Sequence, residues 1–354
     1  MLINLTKGIN LSLILLILVI FSFGFLAIFA NNPQLAFQQL FFFLIGCLIF
    51  FAISAFDVRV FKDLAILFWV LSLATVLGVT FFAPEIRGSS RWIEFSFFRF
   101  QPTELGKPIV IFALASILES QSRDSFRIFL KSIGLIAPFV ILAFLQPDLG
   151  NAIIFLLLWF AALFVSGYSF KVLGSVTFFF LVSLPILLSG LAPYQKLRLE
   201  TFLNPGGDPL GTGYSTLQSQ IAVGAGRIFG QGLSGATQSR LEFLPEAPTD
   251  FIFASIAESL GFVGAVILIG LFGILIYQLV VKAQNLDSYS QILILQVATL
   301  IFAQFFINLS MSVGLLPVVG VTLPFVSYGG SSLISSFILL ALVQSRLKFS
   351  SKTG

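Results

Sequence analysis

Ten apolar runs of roughly twenty residues, the length that crosses a bilayer as a helix, are separated by polar breaks, all but one of them short. The runs cover approximately residues 9–30, 36–56, 64–83, 102–119, 129–146, 150–167, 172–192, 251–281, 289–315 and 328–345. Lipid offers the backbone no hydrogen-bond partners, so segments of this length must be helical. The chain is therefore expected to be an all-α polytopic membrane protein, a single domain over 1–354 with ten transmembrane helices. Charged residues make up only 10% of it, against about 25% in soluble domains. The first run has no convincing cleavage site and more spans follow it, so it is expected to remain uncleaved.

What is missing narrows the chemistry. There is no histidine, so imidazole cannot act as base, proton shuttle or metal ligand. The single cysteine, Cys47, sits in an apolar run and reads as a packing residue. Intrachain disulfides and multi-thiolate zinc sites are excluded. No GxxxxGK[ST] loop occurs, which argues against ATP use by this chain. The net charge of +4 is scattered over short loops, so it encodes topology and does not form a nucleic-acid surface.

With ten spans both termini share one side. That side carries Lys7, Arg59, Lys62, Arg123, Arg127, Lys131, Lys171, Lys282, Arg346, Lys348 and Lys352, whereas the short loops opposite carry Arg87, Arg91 and Arg99. The positive-inside rule then places both termini in the cytoplasm of a cell inner membrane. The long polar segment 193–250, between spans seven and eight, becomes extracytoplasmic. Ten of the fifteen carboxylates, among them Glu104, Asp148, Glu246, Asp250 and Glu258, fall at or near that outer face. Chemistry is expected there.

Five constellations could carry it. Arg91-Trp92 is followed by Gln101-Pro102-Thr103-Glu104, with Lys107 one turn on; Glu104 and Lys107 share a helix face and can pair. That set is either a structural ion pair with an interfacial tryptophan, or a polar cavity with Arg91 aimed at an anion. Asp148 in Gln146-Pro147-Asp148-Leu149-Gly150 either caps the next helix or joins the same cavity. In the long loop, Gln195, Lys196 and Arg198 suit a pyrophosphate. Residues 215–223 read as a short amphipathic helix on the membrane, with Gln218 on its polar side. The glycines at 224–232 read mainly as a flexible segment, a phosphate nest being the weaker alternative. Glu242 to Asp250 holds Glu246 and Asp250 directly before an apolar run; either Thr249 or Asp250 caps the helix that follows, or Asp250, in low-dielectric surroundings, serves as general base. Finally, Gly314 to Ser332 is dense in Pro and Gly, so it must break a span and either packs tightly or walls a cavity, where Ser327 and Ser331 offer hydroxyls. Gly261, Gly264, Gly270 and Gly273 read as helix–helix contacts.

These segments, GSSRWI then FQPTELGK, QPDLG, the YQ-x-x-R to GTG-Y segment, LPE-x-x-TDFIF and LPFVSYGGSS, together resemble the SEDS family (shape, elongation, division, sporulation), which includes RodA and FtsW. The short termini are more similar to RodA. The resemblance implies a peptidoglycan glycosyltransferase that polymerises lipid II at the outer leaflet, partnered by a class B penicillin-binding protein in an elongation or division complex. It implies that Asp250 is the essential loop aspartate and that Glu104, Lys107 and Asp148 line a central cavity. Arg91, Trp92, Gln195 and Arg198 fall on further motif positions. One departure stands out: Pro248 occupies the position where the family commonly has histidine.

Within that reading, Asp250 would take the proton of the acceptor hydroxyl, a contribution of ~10²–10⁴-fold. Arg, Lys or a divalent cation (Mg or Mn) would stabilise the leaving pyrophosphate. Two alternatives remain open. A lipid II flippase predicts polar groups on both sides of the midplane, and a non-catalytic scaffold predicts that Asp250 is dispensable.

Overall fold

In a computed structural model, residues 8–84, 91–95, 98–119, 125–204 and 213–350 are described. Each of the ten apolar runs forms one long helix: α1 (Leu11–Asn31), α2 (Pro33–Ser54), α3 (Ala65–Phe82), α4 (Pro102–Leu118), α5 (Phe126–Leu145), α6 (Leu149–Val165), α7 (Phe170–Ser189), α11 (Ile252–Ala283), α12 (Ser288–Val313) and α13 (Gly330–Ser350). Three shorter helices, α8 (Pro193–Leu203), α9 (Tyr214–Ala225) and α10 (Thr237–Arg240), lie between α7 and α11. Among the described residues, seven helical segments are long and apolar enough to cross a membrane, and Leu149–Val165 and Phe170–Ile186 are shorter apolar stretches. The chain is a multi-pass, mostly helical membrane protein.

Local chemistry sets the ends. Asn32 caps α2 by accepting from Leu35 N, with Pro33 in the first turn. Asp287 caps α12 through Ser290 N, and Gly314, left-handed at φ 81°, ends the same helix. Packing puts α4, α12 and α13 at the centre, with α13 against α2 and α4, α11 against α12 and α1, and α6 against α5 and α12. Helix α7 touches α6 sparsely and exposes Phe178, Phe179, Val182 and Ile186.

One small β element adds to the all-α expectation. Strands β1 (Ile93–Phe95) and β2 (Phe98–Phe100) pair antiparallel with Glu94 opposite Arg99, and the Arg99 guanidinium donates to Glu94 at 2.8 Å. This hairpin leads directly into α4.

Three readings of the sequence are corrected. Helix α9 does not lie free on a membrane surface; it packs on α11 and α12, burying Thr216, Ser219 and Ala222, because its small polar face can bond into the bundle. Ser219 Oγ donates to Ser312 O at 2.8 Å. The glycine segment after it is no phosphate nest either. Helix α11 breaks at Gly261 (φ 70°), and the freed backbone is taken up by that segment: Gln231 N donates to Glu258 O, Gly232 N to Ser259 O, Phe262 N to Arg227 O and Val263 N to Ile228 O. Gly230 (φ 81°) approaches so closely that a Cβ there would lie 2.2 Å from Ser259 O. Gly270 and Gly273, in turn, make no close helix contact, since nothing lies within 4 Å of a Cβ built on either.

The two ends of the bundle differ. At one end Arg346, almost wholly buried, bridges Asp57 and Asp287 and donates to Ser290 Oγ at 2.7 Å, while Glu119 pairs with Arg59 and Lys62. Asp57, Glu119 and Asp287 are thus closed into ion pairs. The opposite end gathers Glu104, Asp148, Glu246 and Asp250.

Candidate active site

Asp250 is the last residue but one before α11, and its side chain does not cap that helix: the N-cap is Phe251, with no side-chain capping bond. The alternative of a capping role therefore fails. The main chain around it is held from several directions. Asp250 N donates to Glu246 O at 3.1 Å, as does Thr249 N, in a tight turn with Glu246 left-handed at φ 54°. Asn308 of α12 donates both to Asp250 O at 2.9 Å and to Val321 O at 2.8 Å. Ser327 Oγ donates to Thr249 O at 2.7 Å, and Tyr328 N to Pro248 O at 2.7 Å. The irregular segment 315–329 is thus stitched to the Asp250 loop, satisfying backbone groups that a helix break leaves open.

The carboxylate itself accepts no hydrogen bond from any described residue. A Cβ at Gly320 would stand 3.5 Å from its Oδ2, so glycine there leaves room beside the acid. Burial, then the Glu246 charge, pushes the Asp250 pKa up from its ordinary 3.8 to about 6; Arg91 and Arg198 pull against this and Asp148 adds to it. Near neutral pH the acid is ionised yet basic enough to take a proton. The same four charges show what surrounds it: two guanidinium groups and two carboxylates from four different segments.

Asp148 resolves both its alternatives at once. Its Oδ1 caps α6 through Asn151 N at 3.1 Å, while Oδ2 accepts from Gln101 Nε2 at 2.8 Å and Asn151 Nδ2 at 2.9 Å. Arg91 Nη1 lies 3.5 Å from the same oxygen, and its guanidinium stands over the Trp92 ring, 5.8 Å from the centroid. Among the described residues Arg91 Nε has no hydrogen-bond partner. Deeper in α4, Lys107 Nζ donates to Glu104 Oε1 at 2.6 Å, both residues being buried. Pro108 lacks the N–H that would bond Glu104 O, and Ser335 Oγ supplies the missing donor at 2.7 Å.

The remaining expected residues divide. Gln195, 2% exposed, accepts from Ala192 N through Oε1 and keeps Nε2 unpartnered. Arg198 donates to Val318 O at 2.9 Å. Glu246 accepts from Thr249 Oγ1 at 3.1 Å. Ser327 and Ser331 are engaged with backbone instead of facing a ligand: Leu323 N donates to Ser327 Oγ, and Gln101 N to Ser331 Oγ at 3.0 Å. Gln218 is half-buried on α9, and no hydrogen bond among the described residues ties it to the cluster. Arg87 to Ser90 lie outside the described residues, as do 205–212. Asn151, Asn308 and Ser335 complete the site, and sequence reading passed over them although each is a polar residue within an apolar run. Among the described residues no three His, Cys, Asp or Glu side chains are grouped to hold a metal ion, so the Mg or Mn expectation finds no protein-only cage.

Comparison with known proteins agrees with this architecture. Peptidoglycan glycosyltransferase MrdB of Escherichia coli K12 is 36% identical over 317 residues, covering 87% of this chain and 85% of that protein. Probable peptidoglycan glycosyltransferase FtsW of Coxiella burnetii is 38% identical over 281 residues, 77% and 74% respectively. Among solved structures, a chain from a peptidoglycan synthase complex coordinating polymerization and crosslinking superposes with TM-score 0.82 at 31% identity, covering 97% of this chain and 98% of that one. The rod shape determining protein RodA of Thermus thermophilus gives 0.74 at 28% identity, with 97% of both chains covered. The cell cycle protein family of FtsW, RodA and SpoVE matches residues 3–352, and the chain belongs to that family.

Proposed function

We propose that this protein is a peptidoglycan glycosyltransferase that polymerises lipid II into glycan strands. The observation that carries the reading is the Asp250 carboxylate: it neither caps a helix nor accepts a hydrogen bond from any described residue, and Arg91 and Arg198 act on its charge. The acceptor sugar hydroxyl donates its proton to Asp250 as its oxygen attacks the donor's anomeric carbon. The bond from that carbon to the lipid pyrophosphate breaks, its electron pair leaving with the phosphate. A single displacement at an α-linked donor gives a β-linkage, so one base suffices. Arg91 and Arg198 stabilise the charge developing on the leaving group, and the unpartnered Arg91 Nε and Gln195 Nε2 are donors available to it. A divalent cation, when bound, would be held by carboxylates of this cluster such as Asp148 and would supply positive charge to the leaving pyrophosphate.

In the same proposal all ten long helices cross an inner membrane as one domain over 1–354, both termini are cytoplasmic, and the segment 193–250 is extracytoplasmic. The superposition on a synthase complex supports a class B penicillin-binding protein as partner, within an elongation or division complex. A lipid II flippase fits less well, because Asp57, Glu119 and Asp287 at the far end are closed into ion pairs with Arg346, Arg59 and Lys62. The test is purified protein with labelled lipid II: the parent forms glycan ladders and Asp250→Ala forms none while folding normally. Equal ladders from both would remove Asp250 as the base, whereas no ladders from the parent would leave the transport or scaffold readings.

A further inference from the structure

Eight residues beyond Asp250, on the first stretch of α11, Glu258 is wholly buried and takes no part in the chemistry proposed for this site. Its carboxylate accepts three hydrogen bonds from one place: Gln238 N at 2.8 Å, Ser239 N at 3.0 Å and Ser239 Oγ at 2.7 Å. Its main-chain oxygen accepts a fourth, from Gln231 N at 2.9 Å. Two of the donors to the carboxylate, Gln238 N and Ser239 N, are backbone groups that would be orphaned without it, and an uncompensated buried carboxylate is itself costly. The result is a clasp that closes segment 238–258 at its base. Inside the closed segment, Leu244 N bonds back to Gln238 O at 2.9 Å. Leu244, Ala247 and Phe251 pack with Ala222 and Ala254 as a small separate core. Asp250 rides on that core. The break in α11 at Gly261 follows immediately, so the stretch bearing Glu258 is a short helical arm.

We propose that Glu258 is a positioning residue: its carboxylate fixes the base of the 238–258 loop and thereby holds Asp250 at the reacting centre. The proposal rests on Asp250 being the general base. Opening the clasp displaces the acid and lets water into the loop. A displacement of about 1 Å at a reacting group lowers turnover by up to about 10²-fold, whereas substrate binding by Arg91, Trp92 and Arg198 from other segments is left in place. Relief of burial also weakens the largest influence on the Asp250 carboxyl, leaving Glu246, Arg91, Arg198 and Asp148 as the charges facing it.

The experiment uses full-length protein and lipid II, measuring kcat and KM per folded molecule across pH for the parent, Glu258→Gln, Ser239→Ala and Asp250→Asn. Glu258→Gln keeps the side chain's size but leaves one buried N–H facing an amide. The expected result is a kcat about tenfold or more lower, a KM within about threefold of the parent, and an acid limb of the pH–rate profile displaced to lower pH. Ser239→Ala, which deletes a single bond of the clasp, moves the same quantities less and in the same direction, and it stands in if Glu258→Gln does not fold. Unchanged kcat, KM and acid limb per folded molecule, with Asp250→Asn inactive, would overturn the clasp alone. Turnover by Asp250→Asn would overturn the base assignment and the clasp's role together.

Discussion

Lys107 Nζ donates to Glu104 Oε1 over 2.6 Å, one turn apart on α4, with both side chains almost wholly enclosed. Removing one partner of such a pair strands a buried charge, at a cost of about 3–5 kcal/mol. Lys107→Ala is therefore expected to lower both the thermal midpoint in detergent and the polymerisation rate. A parent-like midpoint and rate would show that the pair bears no load. The double variant Glu104→Gln with Lys107→Met should recover much of the stability.

The pH behaviour follows from Asp250. A base with a pKa of about 6 must be ionised, so the rate should fall as pH drops through about 6. Stability runs the opposite way for this group: raised from 3.8 to about 6, it binds its proton more tightly in the folded state. Its contribution thus declines as pH rises between those values and stays low above them. Asp250→Asn should consequently match or exceed the parent's thermal midpoint at pH 7, and a large drop there would contradict the assignment.

The neighbouring charges should move the acid limb in opposite directions. Glu246 raises the Asp250 pKa and Arg91 lowers it, so Glu246→Gln should shift the limb to lower pH and Arg91→Ala to higher pH. Arg91→Ala should also slow turnover, because it withdraws a cation from the pyrophosphate. Limbs that coincide with the parent's in both variants would separate these residues from Asp250.

Ser335 offers a purely structural test. Its hydroxyl serves the Glu104 carbonyl that Pro108 cannot reach, and Ser335→Ala leaves that carbonyl unsatisfied. A loss of about 1–3 kcal/mol is expected, read as a lower thermal midpoint. No loss would mean that water or a rearranged helix takes the place of the hydroxyl.

Hydrophobic run length placed the ten long helices, because lipid imposes helicity on any apolar segment of that size. Run length is blind to the antiparallel pairing of 93–95 with 98–100, and to the break at Gly261, where a glycine inside an apolar run looks like a packing residue. Motif residues pointed to Asp250, Asp148 and the Glu104–Lys107 pair. Spacing could not show that Ser327 and Ser331 serve the backbone, nor that α9 buries its polar face, since both outcomes depend on carbonyls contributed by distant segments. Glu258 was visible as an acid near one end, but its role appears only once α10 folds back onto it.

The most direct test of the account is the initial rate of lipid II polymerisation by folded, purified Asp250→Asn at neutral pH, beside the parent. The substitution keeps the side chain's shape and removes its basicity. The account predicts a rate lower by about 10²-fold or more with the substrate still bound. A rate close to the parent's would contradict it.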